Sequence, residues 1–143
     1  TMMKLKNLVA AALIGTLAFG AAIALTGCGA DNEPTGEVTT VNTITAEQGK
    51  AMLDEDSTII LVDVRTTEEF QEEHIPGAIL VPIDELETLA PEMMPDKEAT
   101  YIVYCRSGNR SATAAQQLVD WGYKNIYDMG GIIDWPYETV LPS

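Results

Sequence analysis

Two apolar runs, TIILVDV at 58–64 and ATYIVYC at 99–105, limit more than anything else what this chain can fold into. Neither alternates with polar residues, so each needs cover on both faces, as a strand inside a parallel sheet has. Parallel neighbours must be joined by a crossover of a dozen or more residues, usually a helix. The surrounding segments supply such helices. TAEQ at 45–48 reads as a capping box, with Thr45 the N-cap and Gln48 the third helical residue, opening a helix towards Leu53. Thr66 and Glu69 repeat the device for a short helix that must end before Pro76. AILVP at 78–82 is a further buried strand closed by Pro82. In IDELETLAPEMM at 83–94, Ile83, Leu86, Leu89 and Ala90 fall on one helical face with acids opposite. SATAAQQLVDWG at 111–122 predicts a helix whose Ala112 and Ala115 allow close packing on a sheet, with Gly122 as its C-terminal cap. NIYDM at 125–129 is a last strand, followed by a turn and a short helix. Strands alternating with helices predict one small α/β domain over 41–143, built on a mainly parallel sheet.

The first 27 residues do not belong to that domain. Lys4 and Lys6 precede a long apolar, alanine-rich run with no further charge before Asp31. A basic start, an apolar middle and small residues at the end describe a secretory leader. LTGC at 25–28 resembles the lipobox of bacterial lipoproteins, which implies that Cys28 is diacylated and becomes the mature N-terminus. The competing reading is a retained anchor helix that happens to end in cysteine. Residues 28–40, including GADNEPTGEVTT, are polar with Gly and Pro and read as a flexible tether. The expected product is exported and held to a bacterial membrane by lipid.

Charge and cysteine count narrow the function. The chain carries a formal charge of −14. Loss of 1–27 removes two lysines and no acid, so eight Lys+Arg become six against 22 Asp+Glu and the charge becomes −16. Such a field repels nucleic acid and anionic lipid, and an anionic substrate must be drawn in locally against it. With Cys28 lipidated, Cys105 is the single thiol of the domain, so no disulfide framework exists. No CxxC pair or Cys/His cluster points to a metal, and no cofactor is implied.

Cys105 closes the apolar run 101–104 and is followed by RSGNR and a helix. In open α/β sheets ligands bind beyond the carboxyl ends of the strands. There the strand 58–64 delivers Asp63 and Arg65 to the rim that Cys105 occupies. Backbone N–H groups of a loop leading into a helix converge on one point, and the helix dipole adds partial positive charge. With Arg106 and Arg110 beside it, Cys105 is expected to have a lowered pKa and to act as a nucleophile. Gly108 lets the loop turn sharply. A cysteine at a strand end is more often a small buried hydrophobe, but two arginines next to it cannot be sealed into a core without partners.

Four elements, in order, resemble the rhodanese domain. DVRTTEEF at 63–70 is similar to its D-x-R-x-x-x-E-F/Y element, HIPGA at 74–78 to its H-I-P-G-A element, CRSGNR at 105–110 to its active-site loop, and GGIIDW at 130–135 to its late G-G-x-x-x-W element. The resemblance covers about residues 41–143. It implies a central, mostly parallel five-stranded sheet with helices on both faces, and a thiosulfate-type sulfurtransferase. In that chemistry Cys105 takes a sulfane sulfur as a persulfide, and the N–H groups from Arg106 through Ser107, Gly108 and Asn109 to Arg110 stabilise it. The side chains of Arg106 and Arg110 attract an anionic donor such as thiosulfate, and a thiol or cyanide accepts the sulfur. A non-enzymatic persulfide carrier serving a protein partner is the alternative. Related phosphatases space Cys and Arg by five residues; four here give a tighter loop, suited to one sulfur atom rather than a phosphate. Asp63 and Arg65 are expected to form a structural ion pair bracing the loop, with Glu69 as a possible partner of Arg65. His74, the only histidine, belongs to a turn, and Trp135 is a packing residue. The family often has Gly before this His, where the present chain has Glu73.

Overall fold

The computed structural model describes residues 39–143; the expected leader, Cys28 and the tether as far as Val38 lie outside the described residues. Five parallel strands form one sheet in the order β1-β5-β4-β2-β3, with β1 Asn42–Thr43, β2 Ile60–Asp63, β3 Ile79–Leu80, β4 Thr100–Cys105 and β5 Asn125–Gly131. The four α-helices among the described residues are α1 Ala46–Glu55, α2 Thr67–Glu72, α3 Leu86–Met93 and α4 Asn109–Asp120. All four strand pairings are parallel, so the sheet is wholly rather than mainly so.

The central strand sorts its side chains by parity. Tyr101, Val103 and Cys105 pack with Leu86 and Ala90 of α3 and Ala114, Ala115 and Leu118 of α4. Ile102 and Tyr104 turn the other way, against Ala46 of α1, Ile75, Met129 and Trp135. Two cores, one on each face, are why the two longest apolar runs show no alternation. Parity also decides chemistry: Cys105 is on the α4 face, whereas Asp63 shares the opposite face with Tyr104.

Both capping boxes are formed, Thr45 with Gln48 and Thr66 with Glu69. Several boundaries differ from the sequence reading. The strand expected at 78–82 pairs only at Ile79–Leu80; the Val81 N–H still bonds Asp63 O, and at Pro82 the chain turns into a 3-10 segment. The segment 83–94 begins as a 3-10 turn, Ile83–Glu85, before α3. Ala112 of α4 is exposed; the small residues against the sheet are Ala114 and Ala115, both fully buried. Gly130 and Gly131, expected in a turn, belong to β5. A register shift beside Val103/Tyr104 bulges β5 around Met129 and pairs Tyr104 with Gly130 and Cys105 with Gly131. Gly122, with φ +99°, ends α4 as expected, with the Tyr123 N–H returning to Leu118 O.

Beneath the carboxyl rim lies one buried polar network. Arg65 Nη2 and Nε donate to Asp63 at 2.7 and 3.0 Å, and the Tyr104 hydroxyl donates to Asp63 Oδ2 at 2.7 Å. Burial pushes the Tyr104 phenol up, so it stays protonated as a donor. Its oxygen accepts the Ile75 N–H, and Arg65 also donates to Glu73 O at 2.6 Å. Asp63 and Arg65 are 0% and 5% exposed, so removing one leaves the other buried without its counter-charge. Asp63→Ala is therefore expected to cost about 3–5 kcal/mol, the range for breaking a buried pair, read from chemical denaturation midpoints.

Candidate active site

Cys105 is the last residue of β4, and its residue surface is 1% exposed. The loop Arg106–Gly108 then folds back over the sulfur into α4, whose N-cap Gly108 has φ +107°, a left-handed conformation that disfavours any side chain. This turn aims the Gly108 N–H at Cys105 Sγ, 3.0 Å away. On the far side Gly131 presses against the loop. A Cβ there would lie 2.6 Å from both the Arg106 carbonyl carbon and Ser107 Cα, so only glycine lets β5 approach this closely. The Ile133 N–H then donates to Arg106 O at 3.2 Å, fastening the loop to the segment after β5.

Burial opposes ionisation of Cys105. Hydrogen bonds from the Ser111 hydroxyl and from the N–H groups of Ser111, Gly108 and Ser107 outweigh it, and the thiol pKa is lowered. The groups that turn towards the sulfur thus include Ser111, which sequence reasoning overlooked. Its signal was position: it follows the loop arginine as the third residue of α4, on the first turn. Ser111 is fully buried, and its Oγ lies 2.7 Å from Asp128 Oδ1, which also accepts the Gly130 N–H at 2.9 Å. The hydroxyl has one proton, so donation to a thiolate means giving up Asp128, and the N–H groups are the steadier part of the cradle.

The two loop arginines are not equivalent. Arg110 makes a bidentate pair with Glu69, Nη1 to Oε2 at 2.8 Å and Nη2 to Oε1 at 3.0 Å. This corrects the expected partnership of Glu69 with Arg65, whose carboxylate is Asp63. The physical reason is that Glu69 is fixed by the capping box, Oε2 accepting the Thr66 N–H, and so points towards the start of α4. It also qualifies the expectation that both arginines draw in a donor: the charge of Arg110 is already matched, and Arg106 alone is exposed with no carboxylate partner among the described residues. Asp63 and Arg65 brace the loop from below through Tyr104, the residue before Cys105.

His74 contacts other elements. Its ring stacks on Phe70, with centroids 3.8 Å apart, Nδ1 lies 2.9 Å from Phe70 O, and its backbone bridges to Val140. Glu73 takes the place where the resembling family often has Gly without strain, since its φ of −170° is extended backbone open to any residue. Trp135 is 9% exposed in the α1-side core, with Nε1 donating to Glu138 O.

A parallel α/β sheet here ends in a cysteine under a short loop of inward-turned N–H groups, an arrangement that suits chemistry at a thiolate. A family model for the rhodanese-like domain matches residues 45–136, and the chain belongs to that family. It is 38% identical over 73 residues to the thiosulfate sulfurtransferase PspE of Escherichia coli, covering 51% of this chain and 70% of that protein. It is 34% identical over 96 residues to a sulfurtransferase of Allochromatium vinosum, covering 66% of this chain and 88% of the relative. The crystal structure of a rhodanese-like domain protein from Staphylococcus aureus superposes with a TM-score of 0.60 at 31% identity, covering 71% of this chain and 99% of that one.

The Glu69–Arg110 clamp has a pH signature. Arg110 beside Glu69 holds the carboxyl at about 2, below its ordinary 4.5. A depressed folded pKa stabilises the fold fully above the unfolded value, and the contribution is lost as pH falls through the folded one. Stability should therefore decline from pH 4.5 towards about 2 as Glu69 protonates. Glu69→Gln, which can keep the capping box, should remove this part of the acid limb in urea titrations at stepped pH.

Proposed function

We propose that the chain is a thiosulfate-type sulfurtransferase working by a ping-pong cycle through a persulfide on Cys105. The observation that carries this reading is the cradle itself: a buried, hydrogen-bonded thiol with Gly108 N–H 3.0 Å from Sγ inside a six-residue Cys-to-Arg loop. Membership of a family with thiosulfate sulfurtransferases among its members supports it.

In the first half-reaction the Cys105 thiolate attacks the terminal sulfur of thiosulfate. The new Sγ–S bond forms as the S–S bond of the donor breaks, and its electron pair leaves with sulfite. Arg106 attracts the dianion, while the N–H groups of Ser107, Gly108 and Ser111 hold the negative sulfur. In the second half-reaction cyanide or a thiolate takes the terminal sulfur, and the electron pair returns to Sγ. No proton need be stored on a protein base, which fits the placement of His74 against Phe70. Thiosulfate treatment of the purified chain should add the mass of one sulfur atom to the Cys105 peptide, and cyanide should remove it. Cys105→Ser should abolish both; turnover equal in the two proteins would sink the reading.

We further propose that the domain is exported and lipid-anchored to a bacterial membrane. The lipobox-like LTGC supports lipid attachment at Cys28, with residues 28–40 as the tether. Cys28→Ala should then abolish metabolic labelling by a fatty acid and release the domain from the membrane fraction. Unchanged labelling and fractionation would remove the anchor from the proposal.

A further inference from the structure

The cradle explains how sulfur is held but not who receives it. Beside the loop lies a pocket of about 550 Å³. Arg106, next in sequence to Cys105, forms part of its wall. Arg65 and Glu69 form another part, yet both charges are spent, on Asp63 and on Arg110. The charges left at the pocket are Arg106 against Glu72 and Glu73. Glu72 is exposed, and the Glu73 carboxylate accepts only the Thr139 hydroxyl among the described residues.

The rest of the wall is apolar. Ile133 and Leu141 line it and are 64% and 65% exposed. Exposed large apolar side chains are otherwise scarce. Of the five among the described residues, Ile133, Tyr137, Val140 and Leu141 all fall in the segment after β5, and only Met93 lies elsewhere. That segment is tied to the site at both ends, by Ile133 N–H to Arg106 O and by the bridge of Val140 to His74. An apolar patch held beside the loop that covers Cys105 marks a docking surface rather than a random exposure.

We propose that the sulfur acceptor is a thiol on an apolar, positively charged segment of a partner protein, and that this segment docks in the pocket between Arg106, Glu72, Glu73 and the Ile133–Leu141 wall. This rests on the sulfurtransferase reading and adds the acceptor class to it. Charge complementarity selects the occupant: the pocket keeps a surplus of acid, and the chain as a whole carries −14. The acceptor thiolate attacks the terminal sulfur of the Cys105 persulfide. Its S–S bond forms as the Sγ–S bond breaks, and the electron pair stays on Sγ, so one thiolate and one persulfide exchange places with no oxidant or reductant. The acids that favour a cationic acceptor must also oppose the arrival of dianionic thiosulfate, which gives the proposal two readouts of opposite sign.

The test uses the purified chain and two short peptides with a Leu-Cys-Leu centre, one flanked by lysines and one by glutamates. Loading of Cys105 by thiosulfate is measured first, by mass, so failure to load overturns the sulfur-transfer reading itself. With loaded protein at low salt, the basic peptide should be used about tenfold better in kcat/KM, and the ratio should fall towards one as salt screens the field. The double variant Glu72→Gln, Glu73→Gln should shrink the ratio and at the same time speed loading by thiosulfate. Leu141→Ser should slow transfer to both peptides while leaving loading unchanged. Equal use of the two peptides, or a preference that survives the double variant, would overturn the acceptor class while leaving sulfur transfer standing.

Discussion

The buried pair of Asp63 and Arg65 is the interaction on which the site depends. Taking both charges out of water costs several kcal/mol per ion, and the pair holds because no buried side-chain nitrogen or oxygen among the described residues is left without a partner. Arg65 spans Asp63 and the Glu73 carbonyl; Asp63 takes the Arg65 N–H and the Tyr104 hydroxyl; Tyr104 takes the Ile75 N–H. These bonds join the end of β2 and the turn after α2 to the end of β4, 41 residues on from Asp63. Tyr104 is covalently next to Cys105, so the network fixes the height at which β4 hands its chain to the loop. A hydrophobic replacement could match its stability but not its directionality, since apolar contacts tolerate the small shifts that would open the loop.

From that fixed point the loop is confined on its other sides. The clamp of Glu69 on Arg110 ties α4 to α2, and the glycine at 131 lets β5 come into backbone contact with the loop. What remains at the sulfur is a set of N–H dipoles rather than a cluster of free cations. A full positive charge facing the thiolate would stabilise it, but would also hold a persulfide too tightly for release. Dipoles distribute the stabilisation over several short bonds and do not have to reorganise when the sulfur chain lengthens by one atom. On the proposed cycle, neutralising Arg110 with Glu69 would serve turnover as well as rigidity.

The sequence made the fold legible because its strongest signals are local. Two strands buried on both faces announce themselves as unbroken apolar runs, and both capping boxes are four-residue patterns. Cys105 and its loop were legible for the same reason, being contiguous. What escaped were relations between distant segments. Glu69 could be read as a cap, but its second bond to Arg110 spans 41 residues. Its choice of Arg110 over Arg65 follows from the direction in which the cap points it. Ser111 and Asp128, 17 residues apart, meet only because the β5 bulge and the first turn of α4 face each other. The glycine pair at 130–131 was assigned to a turn. The reason for Gly131, close approach to the Arg106–Ser107 backbone, lies in a contact between β5 and the loop that no periodicity encodes, while Gly130 takes a left-handed φ of +86°.

In the proposed sulfur-transfer cycle, the uneven treatment of the two loop arginines bears on direction as well as rate. A site with two free cations would bind sulfite as well as thiosulfate, and product would compete with donor. With Arg110 matched by Glu69, only Arg106 attracts anions, and it does so at the mouth rather than in the cradle. Sulfite leaving the loop then meets Glu72 and Glu73, and an acidic surface beyond, all of which favour its escape. Loading is slowed by the same field, yet a persulfide once formed is protected from reversal, because the returning sulfite must cross it. In the proposed cycle the acidic rim thus trades the speed of the first half-reaction for commitment to the second.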